Sequence, residues 1–284
     1  MINFAFFGSS RFSIIVLDEL EKAHMLPKCI VTTKDKPVGR KQILTPNVTK
    51  QWGVERNIKV FDSSPKELGP ELANLNVDVF IVASYGRILP KSLLDIPKKQ
   101  TLNIHPSLLP EYRGPSPLPT MMIDDVKETG VSIMVLDSEM DHGPIVAQKN
   151  VIVTEWPTYE KFEEMMAREG ARLLVEILPK WMDGSVTALP QKHEYATYTK
   201  KVTKEDGLID LSANPYTNFR KIQAYHSWPQ AYFIYKRDGR SIRVKIIEAS
   251  YKNDKLIIEK VLPEGAKIMS FADFQNGYGI TLPS

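Results

Sequence analysis

Along the first half of the chain, short unbroken apolar runs alternate with amphipathic stretches. The runs cover residues 2–7, 29–33, 58–61, 77–84 and 101–105, and stretches such as 12–22 and 66–75 between them carry apolar residues at helical spacing. A strand that is apolar on both faces needs cover on both, so the pattern predicts an α/β fold with a mostly parallel sheet wrapped by helices. Two more strands are expected at 131–137 and 145–153. A long helix is expected to follow Thr158, a suitable N-cap, because Phe162, Met165, Met166, Leu173, Leu174, Ile177 and Leu178 recur on one face. Pro179 and the Asp183-Gly184 pair mark its end.

The texture then changes. Residues 185–204 lack strong periodicity and read as a linker. Beyond them come short runs at 231–235, 242–249, 255–261, 267–271 and 280–282. Turn chemistry separates these runs at Arg237-Asp238-Gly239, Asn253-Asp254 and Glu264-Gly265. Short strands with turns at this spacing predict a small β-barrel. The expected division is 1–184, a linker at 185–204, and 205–284.

Composition narrows the class. The chain has 284 residues, 43% hydrophobic and 25% charged, which suits a globular protein of one or two domains. No apolar run approaches the ~20 residues a membrane helix needs, and the N-terminus lacks the features of a signal peptide, so a cytoplasmic location is expected. Cys29 is the single cysteine, which excludes an intrachain disulfide and a cysteine-based zinc site. It reads as a core thiol. The net charge is +3, but residues 200–284 hold 14 Lys and Arg against nine Asp and Glu, so the basic excess lies in the C-terminal part. That distribution suits a polyanionic partner, and equally an ordinary solvated surface.

Two segments concentrate chemistry. Asn103 and His105 are two residues apart on a predicted strand, so their side chains share a face near its C-terminal end, where open α/β sheets place ligands. A hydrogen-bonded core pair would account for them as well. The second segment is Leu136-Asp137-Ser138-Glu139-Met140-Asp141-His142-Gly143-Pro144, an acidic turn after a strand. Asp137 and Glu139 read as solvated, and His142 as an exposed turn residue. A carboxylate from this turn would orient an imidazole. Together, Asn, His and Asp suit acyl transfer to an amine: an amide N–H and an imidazolium stabilise the oxyanion, and a carboxylate assists the departing proton. No serine or cysteine nucleophile is needed. Phe7-Gly8-Ser9-Ser10 is not a Gly-x-Gly-x-x-Gly fingerprint, and neither a Gly-x-x-x-x-Gly-Lys loop nor a His-Glu-x-x-His helix is present.

With Asn103, His105, Ser107-Leu108-Leu109-Pro110 and Tyr112-Arg113-Gly114, followed by Asp141, the sequence resembles the folate-dependent formyltransferase family. Other segments resemble its branch that formylates methionyl-tRNA: Lys34 to Lys41, Ala83 to Pro90, Tyr198 to Asp210, Ala224 to Ala231 and Leu262 to Phe274. The resemblance implies a Rossmann-like catalytic domain and a C-terminal OB-like domain that supports tRNA. It implies transfer of a formyl group from 10-formyltetrahydrofolate to initiator methionyl-tRNA, without a metal; nothing in the sequence demands more than a monomer. Asn103 and His105 would stabilise the oxyanion, and Asp141 would orient His105 and assist proton transfer. Ser107, Leu108, Leu109, Pro110, Tyr85, Gly86, Ile88 and Leu89 would line the folate site. Arg40 and Lys41 would contact the tRNA acceptor end. The sequence departs from the branch in a loop between Asp35 and Val48 that is one residue shorter, and in having His226-Ser227 and Gln230 around Trp228-Pro229. An amino-sugar nucleotide is the alternative acceptor, because the shared signature serves several amines.

Overall fold

The computed structural model describes residues 2–38, 43–237 and 239–278. The strands are β1 (Phe4–Phe7), β2 (Cys29–Val31), β3 (Lys36–Val38), β4 (Ile43–Thr45), β5 (Lys59–Phe61), β6 (Val79–Val82), β7 (Thr101–His105), β8 (Glu128–Val135), β9 (Ile145–Ile152), β10 (Tyr232–Arg237), β11 (Arg240–Lys252), β12 (Lys255–Pro263) and β13 (Met269–Ser270). The helices are α1 (Arg11–Lys22), α2 (Val48–Glu55), α3 (Gly69–Ala73), α4 (Lys91–Leu94), α5 (Pro117–Asp124), α6 (Tyr159–Asp183), α7 (Pro215–Ala224) and α8 (Phe271–Tyr278). Packing divides them into two units, each discontinuous in sequence. The first comprises Met1–Pro115, Glu128–Ile152 and Glu163–Thr199; the second comprises Ser116–Lys127, Val153–Phe162 and Lys200–Ser284.

The first unit is built on a seven-stranded sheet in the order β5-β2-β1-β6-β7-β8-β9. Strands β5, β2, β1, β6 and β7 pair in parallel, β8 pairs antiparallel with β7, and β9 pairs antiparallel with β8. Strands β1, β2 and β6 are apolar throughout because both faces are covered. On one face, Ala5, Phe7, Cys29, Val31, Phe80 and Val82 pack with Leu68, Leu72 and Leu93. On the other, Phe4, Phe6, Ile30, Ile81 and Ile104 are buried, and Gly170 of α6 lies against Ile104. Helix α1 starts where Ser10 accepts from the Ser13 backbone and the two hydroxyls close a capping box. Helix α6 continues through Pro179 to Asp183, beyond the end that Pro179 suggested, and Gly184 follows it at φ 79°.

The second unit carries the OB-like antiparallel β domain that the short runs predicted, with strands in the order β10-β11-β12-β13. Ile222 of α7, Phe233, Val244, Ile246 and Val261 of the strands, and Phe271 and Phe274 of α8 form its core. Asn253 and Asp254 both adopt positive φ, 50° and 59°, and turn β11 into β12 as their composition indicated. The expected strand at 267–271 is only Met269–Ser270, because Ser270 Oγ accepts the Asp273 N–H at 3.0 Å and starts α8 at Phe271. The expected strand at 280–282 lies outside the described residues. No helix among the described residues is long and apolar enough to cross a membrane.

Candidate active site

Val82 of β6 and Asn103 of β7 are partners in register, which puts Asn103 and, two residues on, His105 on the Phe7–Phe80 face at the C-terminal end of β7. Both are buried. Asn103 is 9% exposed, and its side-chain amide has no hydrogen bond to any other described residue. Its amide is therefore available to hydrogen-bond a bound molecule. His105 is held on both sides. Its Nε2 lies 2.9 Å from the Tyr112 carbonyl oxygen, which only accepts, so Nε2 carries the proton. Its Nδ1 faces Asp141 Oδ1 at 3.6 Å.

Asp141 reaches this face by an indirect route. Strand β8 is antiparallel to β7, with Leu102 opposite Val135, so the β8–β9 connection starts at the far end of β7 from His105. It folds back over the sheet. The Leu136 N–H bonds the Thr101 carbonyl at 2.8 Å, and the Val135 N–H bonds the Pro144 carbonyl at 2.9 Å. Gly143 is required because a Cβ there would strike the Val135 carbonyl. Asp141 itself sits at φ 50°, and its Oδ2 accepts the Gly114 N–H at 2.7 Å. Tyr112 and Gly114 also have positive φ, 57° and 109°, and a Cβ on Gly114 would lie 2.8 Å from the Thr199 carbonyl. Consecutive backbone groups of one motif thus hold both partners: the Tyr112 carbonyl holds His105 and the Gly114 N–H holds Asp141.

The expected folate-site residues fall into two groups. Ser107, Leu108, Leu109 and Pro110 follow directly on His105 and are tied down by β8 and β9. Ser132 Oγ donates to the Ser107 carbonyl at 2.7 Å and accepts the Leu109 N–H at 3.1 Å. Gln148 Nε2 donates to the Leu109 carbonyl at 2.9 Å and to Ser132 Oγ at 2.8 Å. The Leu109–Pro110 peptide is cis, and Leu108 lies over Gly130. The second group follows β6, the parallel neighbour of β7, so it lies at the same end of the sheet. There Ile88 is 82% exposed and Gly86 has φ 74°. Tyr85 and Leu89 instead belong to the core, with the Tyr85 ring edge-on to Phe7 at 5.6 Å. This loop is fastened to the start of α1: Ser13 Oγ donates to the Ala83 carbonyl at 2.7 Å and Ser9 Oγ to the Tyr85 carbonyl at 2.8 Å.

Arg40 and Lys41, expected at the tRNA, lie outside the described residues. The base of their loop is described, and Asn47 anchors it. Asn47 Nδ2 donates to Thr33 Oγ1 at 2.9 Å and to the Ser9 carbonyl at 3.2 Å. Lys50 bridges Asp35 and Asp62 at 3.0 and 2.9 Å. Asp137 is more than a solvated turn residue, since it accepts from His142 Nδ1 at 2.7 Å and from the Glu139 N–H at 2.9 Å. His142 in turn stacks on His193 with ring centres 4.1 Å apart. Burial pushes the Cys29 thiol up to about 12, so it is no nucleophile. Among the described residues no group of His, Cys, Asp and Glu is arranged to hold a metal ion. Sequence reading missed Gln191, whose amide donates to the Asp141 carbonyl at 2.9 Å and the Gly143 carbonyl at 2.7 Å. It stands in a segment without a motif or periodicity, and nothing local signals it.

Chemically, the site offers one unengaged amide donor beside an imidazole–carboxylate pair. With Nε2 committed to the Tyr112 carbonyl, Nδ1 is the ring nitrogen left facing Asp141. Such an amide can donate to a developing negative oxygen, and such an imidazole can accept a proton beside it.

Known proteins resemble the chain over most of its length. A family model described as formyl transferase matches residues 2–178, and one described as the formyl transferase C-terminal domain matches residues 201–256. A methionyl-tRNA formyltransferase of Sulfurihydrogenibium sp. is 36% identical over 248 residues, covering 86% of this chain and 78% of that protein. One from Listeria monocytogenes is 34% identical over 258 residues, covering 90% of this chain and 81% of that protein. Among solved structures, an N-formyltransferase from Helicobacter canadensis in complex with folinic acid and dTDP-3-aminofucose superposes with a TM-score of 0.66. It is 18% identical, over 95% of this chain and 99% of that one, and shares the fold. The chain belongs to the formyl transferase family, and the two relatives above that share 36% and 34% of its residues over most of its length are methionyl-tRNA formyltransferases.

Proposed function

We propose that the protein transfers a formyl group from 10-formyltetrahydrofolate to the amino group of initiator methionyl-tRNA, serving translation initiation in the cytoplasm as a monomer. The observation that carries the reading is the His105–Asp141 pair beside the unbonded Asn103 amide, in a chain whose long-range relatives are methionyl-tRNA formyltransferases. The folate carrier supplies an activated formyl group. Its fit rests on the Asn103 amide, which has no other partner among the described residues, and on the immobilised backbone of Ser107, Leu108, Leu109 and Pro110 next to it. Gly86 and Ile88 offer the other wall.

Asn103 Nδ2 donates to the formyl oxygen as it gains charge, the kind of preorganised donor that contributes most in acyl transfer. The amine nitrogen forms the new C–N bond and loses a proton, which Nδ1 of His105 takes up with Asp141 beside it; as the tetrahedral intermediate collapses, the bond from the formyl carbon to N10 of the carrier breaks and that proton passes to N10, releasing tetrahydrofolate. The Tyr112 carbonyl keeps the ring from turning during this transfer. The basic excess of residues 200–284 suits phosphate contacts, and Arg40 and Lys41 suit the acceptor end. The test is formyl transfer from 10-formyltetrahydrofolate to methionyl-tRNA, with an amino-sugar nucleotide assayed in parallel. Transfer to the tRNA is expected. Transfer to the sugar alone would retain the chemistry and overturn the acceptor.

A further inference from the structure

Arg113 is 1% exposed, and its guanidinium has no carboxylate partner among the described residues. Nε and Nη2 donate to Gln191 Oε1 at 3.1 and 2.6 Å, Nη1 donates to the Tyr198 hydroxyl at 3.0 Å, and Nη2 lies 2.9 Å from His193 Nδ1. Tyr198 also offers its ring face, 5.7 Å from the guanidinium carbon. A buried cation among neutral partners is a costly arrangement, and an apolar side chain would fill the space more cheaply. Its geometry accounts for its presence. A guanidinium only donates, so two of its N–H groups force Gln191 to turn its Oε1 toward Arg113. The Gln191 NH2 group must then point the other way. There its two protons meet the carbonyls of Asp141 and Gly143, at 2.9 and 2.7 Å, on either side of His142. The Asp141 side chain is caught at the same time by the Gly114 N–H, one residue from Arg113.

We propose that Arg113 and Gln191 form a clamp that sets the β8–β9 loop so that Asp141 stands opposite Nδ1 of His105, which makes both of them positioning residues for formyl transfer. The catalytic part of this proposal rests on the His105–Asp141 reading above. Neither side chain touches the reacting atoms. Arg113 acts on Gln191, Gln191 acts on the loop backbone, and the loop delivers the carboxylate.

Gln191→Glu separates a positioning role from a purely structural one. The new carboxylate still accepts from Arg113 and now neutralises the buried cation, but it has no proton to give to the Asp141 and Gly143 carbonyls. The expected result is a folded protein whose kcat on methionyl-tRNA falls about 10- to 100-fold, the scale of a small displacement of a catalytic group. KM for both substrates should stay within about threefold of the wild-type value. An unchanged kcat in the folded variant overturns the clamp. If Gln191→Glu does not fold, Arg113→Lys takes its place, because an ammonium cannot bond Gln191, His193 and Tyr198 together, and the same loss of kcat is expected. The Gln191→Glu loss should also shrink in an Asp141→Asn background, since both act through one carboxylate; fully additive losses would sink the proposal. Backbone hydrogen exchange of residues 137–143 tests the clamp apart from the reaction. Faster exchange in Gln191→Glu supports it and unchanged exchange refutes it, whereas a wild-type chain inactive on methionyl-tRNA would refute the function reading instead.

Discussion

His105 is bracketed by two groups of different kinds, a backbone carbonyl at Nε2 and a carboxylate at Nδ1. That arrangement fixes the orientation of the ring. Asn103 is the complementary case, a side chain with nothing to hold. Asn103→Ala should therefore leave the thermal midpoint close to wild type, since no hydrogen bond within the described protein is lost. It should lower kcat about 100- to 1000-fold, the usual consequence of removing one oxyanion donor. Steady-state kinetics with thermal unfolding on the same preparation checks both halves, and a variant of near-normal turnover would remove Asn103 from the chemistry. Asn103 and His105 stood out in the sequence because two polar side chains share one face of a strand, and Asp141 was pointed to by the family resemblance; the structure sets Asp141 opposite His105. The groups that hold them were not legible there. The Tyr112 carbonyl and the Gly114 N–H belong to the backbone, which every residue possesses, so no pattern of side chains points to them.

At the level of elements, the apolar runs located the sheet well, because strands covered on both faces leave a continuous hydrophobic signal at β1, β2 and β6. Short elements gave less. Helix α4 has four residues and α5 begins at a proline, too little sequence for a period to emerge. The 267–271 run misled because Ser270 caps a helix at the point where the apolar pattern continues. What the antiparallel strands do for the site was also hidden: Ser132 of β8 and Gln148 of β9 grip the loop at Ser107 and Leu109 through contacts 25 and 39 residues apart in sequence. Ser132 is fully buried, and Ser132→Ala would leave the Leu109 N–H and the Ser107 carbonyl short of a partner, at a cost of about 1–3 kcal/mol. The expected outcome is a raised KM for 10-formyltetrahydrofolate with the KM for tRNA unchanged. Titrating each substrate against a fixed excess of the other distinguishes this from general destabilisation, which would alter both.

For the whole molecule, the second unit is assembled from three separated segments, and Asp125 ties them together. Its Oδ1 accepts from Trp156 Nε1 at 2.6 Å and from the Tyr216 hydroxyl at 3.1 Å, one partner from each of the other two segments. Burial pushes the Asp125 carboxyl up, but the hydrogen bonds from Trp156 and Tyr216, with Lys127 and Arg220 nearby, hold it below the ordinary carboxylate value. A depressed folded-state value means stabilisation that is complete above the unfolded value and disappears as pH falls through the folded one. Asp125→Asn should therefore lower the midpoint of thermal unfolding by about 2–4 °C at neutral pH, and the difference from wild type should close on acidification. A gap that stays constant down the pH range would show that charge plays no part. Local patterns could not have revealed this knot, because its members lie 31 and 91 residues apart. The same threading limits inheritance. The backbone passes from one unit to the other at 115/116, 127/128, 152/153, 162/163 and 199/200. A single recombination crossover near residue 200 would carry only the last of the three segments into a new chain, leaving 116–127 and 153–162 with the other parent. The OB-like domain can be exchanged between relatives only if those two short stretches descend with it, or are re-fitted to it, so its evolution is bound to that of sequences lying far upstream.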